Sequence, residues 1–139
     1  MRKNIIILIL ISLVAITLTS CSNSEFDSEY KKFKESYVIA TSFVEEDNDS
    51  LKAIQKMDIE IVELGLKNMK DSMDRISNGL NSKTEQGIYG NLESYYNNLE
   101  FLLYAAKNID QLTIEEKLKA DIKVISTTSN RNSIIRGEK

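Results

Sequence analysis

The residues of this chain that could do chemistry are few. There is no histidine and one cysteine, Cys21. Without histidine, the usual general base near neutral pH is missing. With a single cysteine as well, the common Cys/His zinc sets cannot be assembled. The five glycines are scattered and form no loop that could cradle a phosphate. A pair of carboxylates could still act, as in glycoside hydrolysis. Most acids, however, fall on predicted solvent faces beside lysines, and Lys67–Asp71 and Lys70–Asp74 are four-apart pairs suited to surface ion pairing. This inventory predicts a protein that is not an enzyme and that uses no metal and no cofactor.

Two further groups of residues stand out. Glu45-Glu46-Asp47-Asn48-Asp49 is the densest acidic cluster. Calcium prefers several oxygen ligands, but the EF-hand pattern fails here, because Leu51 occupies the third ligand position and the required glycine is missing. The cluster is expected to be a solvated turn whose acids favour the start of the next helix. The second group lies in the stretch from Thr84 to Ala106, which carries only three charges, Glu85, Glu93 and Glu100. At 100° per residue its main apolar stripe centres near Tyr95 and Leu99. Phe101 then lies roughly 120° away and Tyr104 nearly opposite, with Asn97 between them in angle. A back face of this kind should be charged and wet. Asn97, Phe101 and Tyr104 are therefore the candidate partner surface, since aromatic residues often anchor protein interfaces. The competing expectation is that another helix, or the segment around Ile134-Ile135, covers them.

The elements that must position these residues read as helices. Phe26, Tyr30, Phe33, Tyr37, Ala40 and Val44 recur at three- and four-residue steps, as do Ile59, Val62, Leu66, Met69, Met73, Ile76 and Leu80. Ile88, Leu92, Tyr95, Leu99, Leu102, Ala106 and Ile109 form a third series. A fourth runs through Leu118, Ile122 and Ile125. No proline interrupts them. Ser24 can cap the first helix, and Asp47-Asn48-Asp49-Ser50 can cap the second. Asn78-Gly79 suits a helix end, where glycine adopts the left-handed conformation cheaply. Ser82-Lys83-Thr84-Glu85 and Thr113-Ile114-Glu115-Glu116 are capping boxes. Ile59–Leu66 also shows partial strand-like alternation, but its helical neighbours favour one long helix. Gly65 within it costs up to about 1 kcal/mol relative to alanine, and allows close approach of a partner helix. The predicted fold class is all-α: an antiparallel bundle of about four helices at 25–46, 50–78, 83–108 and 113–130, joined by short connections. An oligomeric coiled coil is the alternative, and the oligomeric state is left open. The segment 131–139 is expected to fray.

The N-terminus has a different character. Arg2 and Lys3 precede an apolar run of 14 residues, Ile5 to Leu18. As a helix it would reach about 21 Å, short of the roughly 30 Å of a bilayer core, which suits a cleaved secretory signal. Leu18-Thr19-Ser20-Cys21 follows at once. This arrangement resembles the lipobox of bacterial membrane lipoproteins, [Leu/Val/Ile]-[small]-[Gly/Ala/Ser]-Cys. The resemblance covers residues 1–21. It implies cleavage between Ser20 and Cys21, and a diacylglyceryl thioether on Cys21 whose amine is acylated too, with acyl groups such as palmitate. Two chains give durable anchoring where one binds only marginally. The organisation that follows is a signal peptide at 1–20, a lipidated cysteine and tether at 21–24, a helical domain at 25–130, and the tail. With only Ser22 and Asn23 before Ser24, the domain should sit against the membrane, on its extracytoplasmic side.

Removing Arg2 and Lys3 with the leader takes the basic count from 18 to 16 against 21 acids, a net of −5. Residues 22–82 hold 8 basic and 13 acidic residues, and residues 83–139 hold 8 of each. A net-acidic domain without a basic stripe argues against nucleic acid and against electrostatic attachment to anionic lipid. The expectation is a membrane-anchored lipoprotein of the cell envelope that binds a protein or peptide near the membrane. In general build it resembles small lipoproteins of bacteriocin or toxin immunity and of phage exclusion. The alternatives are a surface lipoprotein that binds a host molecule and a structural envelope protein.

Overall fold

Short polar side chains start the helices of this protein. Its computed structural model describes residues 25–137. The leader, Ser20, Cys21 and the proposed cap Ser24 lie outside the described residues. Helix α1 covers 25–40. A 3₁₀ turn at Ser42–Glu45 follows, then α2 (Ser50–Gln55), α3 (Ile59–Ser77), α4 (Lys83–Lys107), a second 3₁₀ turn (Ile109–Gln111), and α5 (Ile114–Ile135). No strand occurs among the described residues.

Both predicted capping boxes are present. The Glu85 amide donates to Ser82 Oγ at 3.1 Å, and the Ser82 amide donates to Glu85 Oε2 at 3.1 Å. At α5 the Glu116 amide donates to Thr113 Oγ1 at 3.2 Å, and the Thr113 amide donates to Glu116 Oε2 at 2.8 Å. Each reciprocal pair satisfies two amides that the first helical turn leaves without carbonyl partners.

Four expectations need correction. The helix predicted at 50–78 is two helices, because Asp58 takes an extended backbone and its carboxylate accepts from the Ile61 amide at 3.2 Å, capping α3. The chain turns there, and Lys56 reaches back to the Glu46 carbonyl and to Asp47 Oδ2 at 2.9 and 3.0 Å. The first α-helix ends at residue 40 rather than 46 and tightens into the 3₁₀ turn. Asn78-Gly79 does end α3, but without a left-handed residue, since Gly137 is the only positive-φ glycine among the described residues. The segment from 131 does not fray: α5 continues to Ile135, and Arg131 is buried.

The four long helices run antiparallel in sequence order. Ala40 packs on Gly65 while Glu29 pairs with Arg75, which sets α1 against α3. Glu63–Lys107 ties the start of α3 to the end of α4. Tyr104–Glu116 and Asn98–Lys123 do the same for α4 and α5. The core between them holds Phe33 and Tyr37 of α1, Met69 of α3, Leu99 and Leu102 of α4, and Val124 of α5, with Ile54 of α2 closing one end. Gly65 is the small residue that lets α1 approach: a Cβ built there would overlap the Cβ of Ala40.

Polar residues are held between helices too, Glu29, Arg131 and Tyr37 among them. Glu29 is covered by its two cationic partners, Lys32 at 2.6 Å and Arg75 at 3.2 Å. The hydrogen bond from Lys32, followed by that from Arg75, outweighs its desolvation and holds its carboxyl below the usual range. Arg131 donates to the Val38 carbonyl and, at 2.9 Å, to Glu45 Oε2. Tyr37 is fully buried, and its ring lies 5.3 Å from that of Tyr95. Its hydroxyl faces Thr127 and Asn130 without a hydrogen bond of normal geometry to either.

Burial pushes the Tyr37 hydroxyl up to about 12, against about 10 in an unfolded chain. The folded state thus holds this proton more tightly. The resulting stability is complete below about pH 10 and is lost as the pH rises through about 12. Two units correspond to about 3 kcal/mol. Urea unfolding followed from pH 9 to pH 12 should show this fall, and Tyr37→Phe should remove that part of it. Parallel curves for the two proteins would refute the assignment.

Candidate functional site

The aromatic group on α4 does not form the free patch that its angular position suggested. Phe101 is half-buried against α5, with Lys119 Nζ 4.2 Å from its ring centre. Tyr104 is 47% exposed, and its hydroxyl donates to Glu116 Oε1 at 3.1 Å. The two rings lie 6.0 Å apart. The same carboxylate is drawn below its usual range, first by the Thr113 amide, then by the Thr113 hydroxyl and Tyr104. The hydrogen bond to this carboxylate, and then its charge, push the Tyr104 hydroxyl up. Asn97 is exposed and belongs to a different groove, beside Tyr96 and Met73 on the α3 side. The first turns of α5, rather than Ile134-Ile135, meet the aromatic pair, half-covering Phe101 and leaving Tyr104 exposed. The structure therefore brings Phe101 and Tyr104 together as part of the α4–α5 seam and leaves Asn97 apart.

An apolar surface appears instead on α5. Ile114, Leu118, Ile122 and Ile125 are 87, 61, 57 and 67% exposed. Their steps of four, four and three place them along one side of the helix. At 1.5 Å per residue the row is about 17 Å long. The buried side carries Ala120, Val124, Thr127 and Arg131. Leu118, Ile122 and Ile125, the apolar series that marks this helix in the sequence, are thus not its buried face. Both faces have helical spacing, and the larger aliphatic residues point outward. The inward choice follows from specific partners: Ala120 is small enough to vanish between helices, Lys123 binds Asn98, and Arg131 binds the end of α1. Two competing stripes on one helix were the available signal.

A second feature sits at the end of the molecule where α1 begins. From Val38, the level of Arg131, α1 continues thirteen residues back to residue 25, while the described chain continues only six residues past Arg131. At helical rise these are about 20 and 9 Å. The space between α1 and α4 at the last turn of α5, edged by Ser133, Ile134 and Gly137, is a cavity of about 940 Å³. Phe26, Tyr30, Ile88, Leu92, Tyr95 and Ile134 supply its apolar lining. Burial, followed by the nearby Tyr95, raises the Tyr30 hydroxyl.

Three acids of the cluster are engaged in structure, two of them locally. Glu45 bonds Arg131, Asp47 bonds Lys56 and the Asp49 amide, and Asp49 caps α2 through the Lys52 amide. Among the described residues no group of three or more acids, cysteines or histidines is placed to hold a metal. None of the described helices is long and apolar enough to cross a membrane. No family model, curated protein or solved structure matches the chain.

Proposed function

We propose that this chain is a lipid-anchored lipoprotein of the bacterial cell envelope. In this reading its helical domain acts without catalysis, by binding an amphipathic helix of a partner protein along the outer face of α5. The observation that carries the binding reading is the exposed row Ile114, Leu118, Ile122 and Ile125. Rows of large aliphatic side chains on a surface helix mark interaction sites, and helix-on-helix recognition uses anchors at this spacing. The anchor is supported by Leu18-Thr19-Ser20-Cys21 after its apolar run. The tether of 21–24 then keeps the partner in the membrane or close to it.

Among the described residues the buried side chains all fall between Phe26 and Arg131, and a chain starting at residue 22 retains all of them. Because Leu118 and Ile122 are exposed, changing both to serine should leave stability within about 0.5 kcal/mol per site. In a pull-down from solubilised envelopes, that double variant should recover the partner at least tenfold less well than the wild type. Phe101→Ala with Tyr104→Ala should have a smaller effect. Equal recovery by the serine variant would remove α5 from the proposal. Co-sedimentation with lipid vesicles through the same two residues would make the row a membrane contact instead. Cys21→Ser in the full chain should release the protein from the membrane fraction, and unchanged attachment would overturn the anchor.

A further inference from the structure

The cavity at the last turn of α5 is large for a molecule of this size, and at about 940 Å³ it falls at the upper end of the range of small-molecule sites. Its walls are mixed: the aromatic and aliphatic side chains share them with Thr84, Asn91 and Ser133. Lys31 and Lys34 of α1 also line it, against one lining carboxylate, Asp27. Lys34 Nζ lies 4.2 Å above the Tyr30 ring, which places a cation over the apolar wall. Lys31 pairs with Glu35 at 3.9 Å, and that pair is largely exposed.

We propose that this cavity takes a single long acyl chain with an anionic head, the chain lying against Phe26, Ile88, Leu92 and Ile134 and the head meeting Lys34 and Lys31. Apolar lining with a few polar groups at one edge is how proteins bury and orient such ligands, and lysine supplies a flexible point charge for the head. Phe26 follows Cys21 by five residues, within about 18 Å of extended chain. Membrane lipid as the source therefore rests on the anchor reading; the site itself does not.

Gly87 provides the test. It lines the cavity, and a Cβ added to it meets nothing within 4 Å. Gly87→Trp should fill the cavity while raising helix propensity. Gly90 has equal room and does not line the cavity, so Gly90→Trp is the control. The chain from residue 22, free of its own lipid, is titrated with a fluorescent long-chain fatty acid and with vesicles of fluorescent phosphatidylglycerol. Wild type and Gly90→Trp should bind alike, and Gly87→Trp at least tenfold more weakly. Lys34→Gln should weaken binding of the acid several-fold and leave the matching fatty alcohol unaffected. Uptake from solution alone identifies a free fatty acid as the source, and transfer from vesicles identifies a membrane lipid; either supports the site. No saturable uptake of either probe, or equal binding by Gly87→Trp and Gly90→Trp, overturns it. An equal effect of Lys34→Gln on acid and alcohol overturns the head assignment. The Cys21→Ser fractionation is independent of all these outcomes.

Discussion

Replacing Gly65 with valine is expected to lower the unfolding free energy by about 3 kcal/mol, and replacing it with alanine by about 1–2 kcal/mol. Elsewhere in a helix the alanine change would be favourable, by as much as about 1 kcal/mol. Here the added Cβ overlaps the Cβ of Ala40, and the Ser36 carbonyl lies 3.4 Å away. Neither is the flexible end of a side chain, so the clash is relieved only if α1 moves off α3. That movement would strain Glu29–Arg75 and the packing of Phe33. Urea unfolding of wild type, Gly65→Ala, Ala40→Gly and the double variant measures the coupling. The double variant should be more stable than the sum of the single changes predicts, by at least about 1 kcal/mol. Gly90→Ala, with no neighbour within 4 Å, should instead stabilise by about 0.5–1 kcal/mol. If both alanine substitutions stabilised equally, the close approach of α1 and α3 would be wrong.

Arg131→Met should cost about 3 kcal/mol. The guanidinium is buried at the end of α1, where it donates to the Val38 carbonyl and to Glu45. A charged donor on a carbonyl contributes about 1.5–3 kcal/mol, and the carbonyl left behind lacks a partner. A cation also favours the negative end of the α1 dipole. The aliphatic part of methionine returns some packing. Lysine cannot replace the fork, since one ammonium cannot match its two-way geometry, so Arg131→Lys should recover less than half of the loss. Glu45→Gln should cost under about 1 kcal/mol, because Glu45 is 57% exposed. Thermal melts of the four proteins separate these effects. Equal losses for Glu45→Gln and Arg131→Met would place the energy in the ion pair and not in the capped carbonyl.

Much of the fold was legible because its signals are local. Ser82-Glu85 and Thr113-Glu116 sit three residues apart on the chain, and both boxes form where that spacing places them. The apolar series of α1, α3 and α4 likewise match their buried faces. What escaped depends on distant partners. Asp58 reads as one polar residue inside a periodic run until the chain has to turn there and cap α3. Arg131 reads as the start of a loose tail until Val38 and Glu45, 93 and 86 residues away in sequence, receive it. The candidate surface shifted for the same reason. Angular position on α4 placed Phe101 and Tyr104 outward; Tyr104 is exposed, and only the path of α5 half-covers Phe101 and engages the Tyr104 hydroxyl. That path also turns Leu118, Ile122 and Ile125 outward, which no count of apolar residues distinguishes from turning them in.

The long-range latch at Arg131 has a consequence for the order in which the molecule assembles. The α3–α4 and α4–α5 pairs join neighbours along the chain and close small loops, so they can form early. Helix α1 has partners on α3, but the residue that holds its end is on α5, 93 residues after the carbonyl it meets. A chain cut before Arg131 would keep three consecutive long helices and lose the clasp that closes the first against the last. Synthesis must therefore pass Arg131 before the first helix is secured.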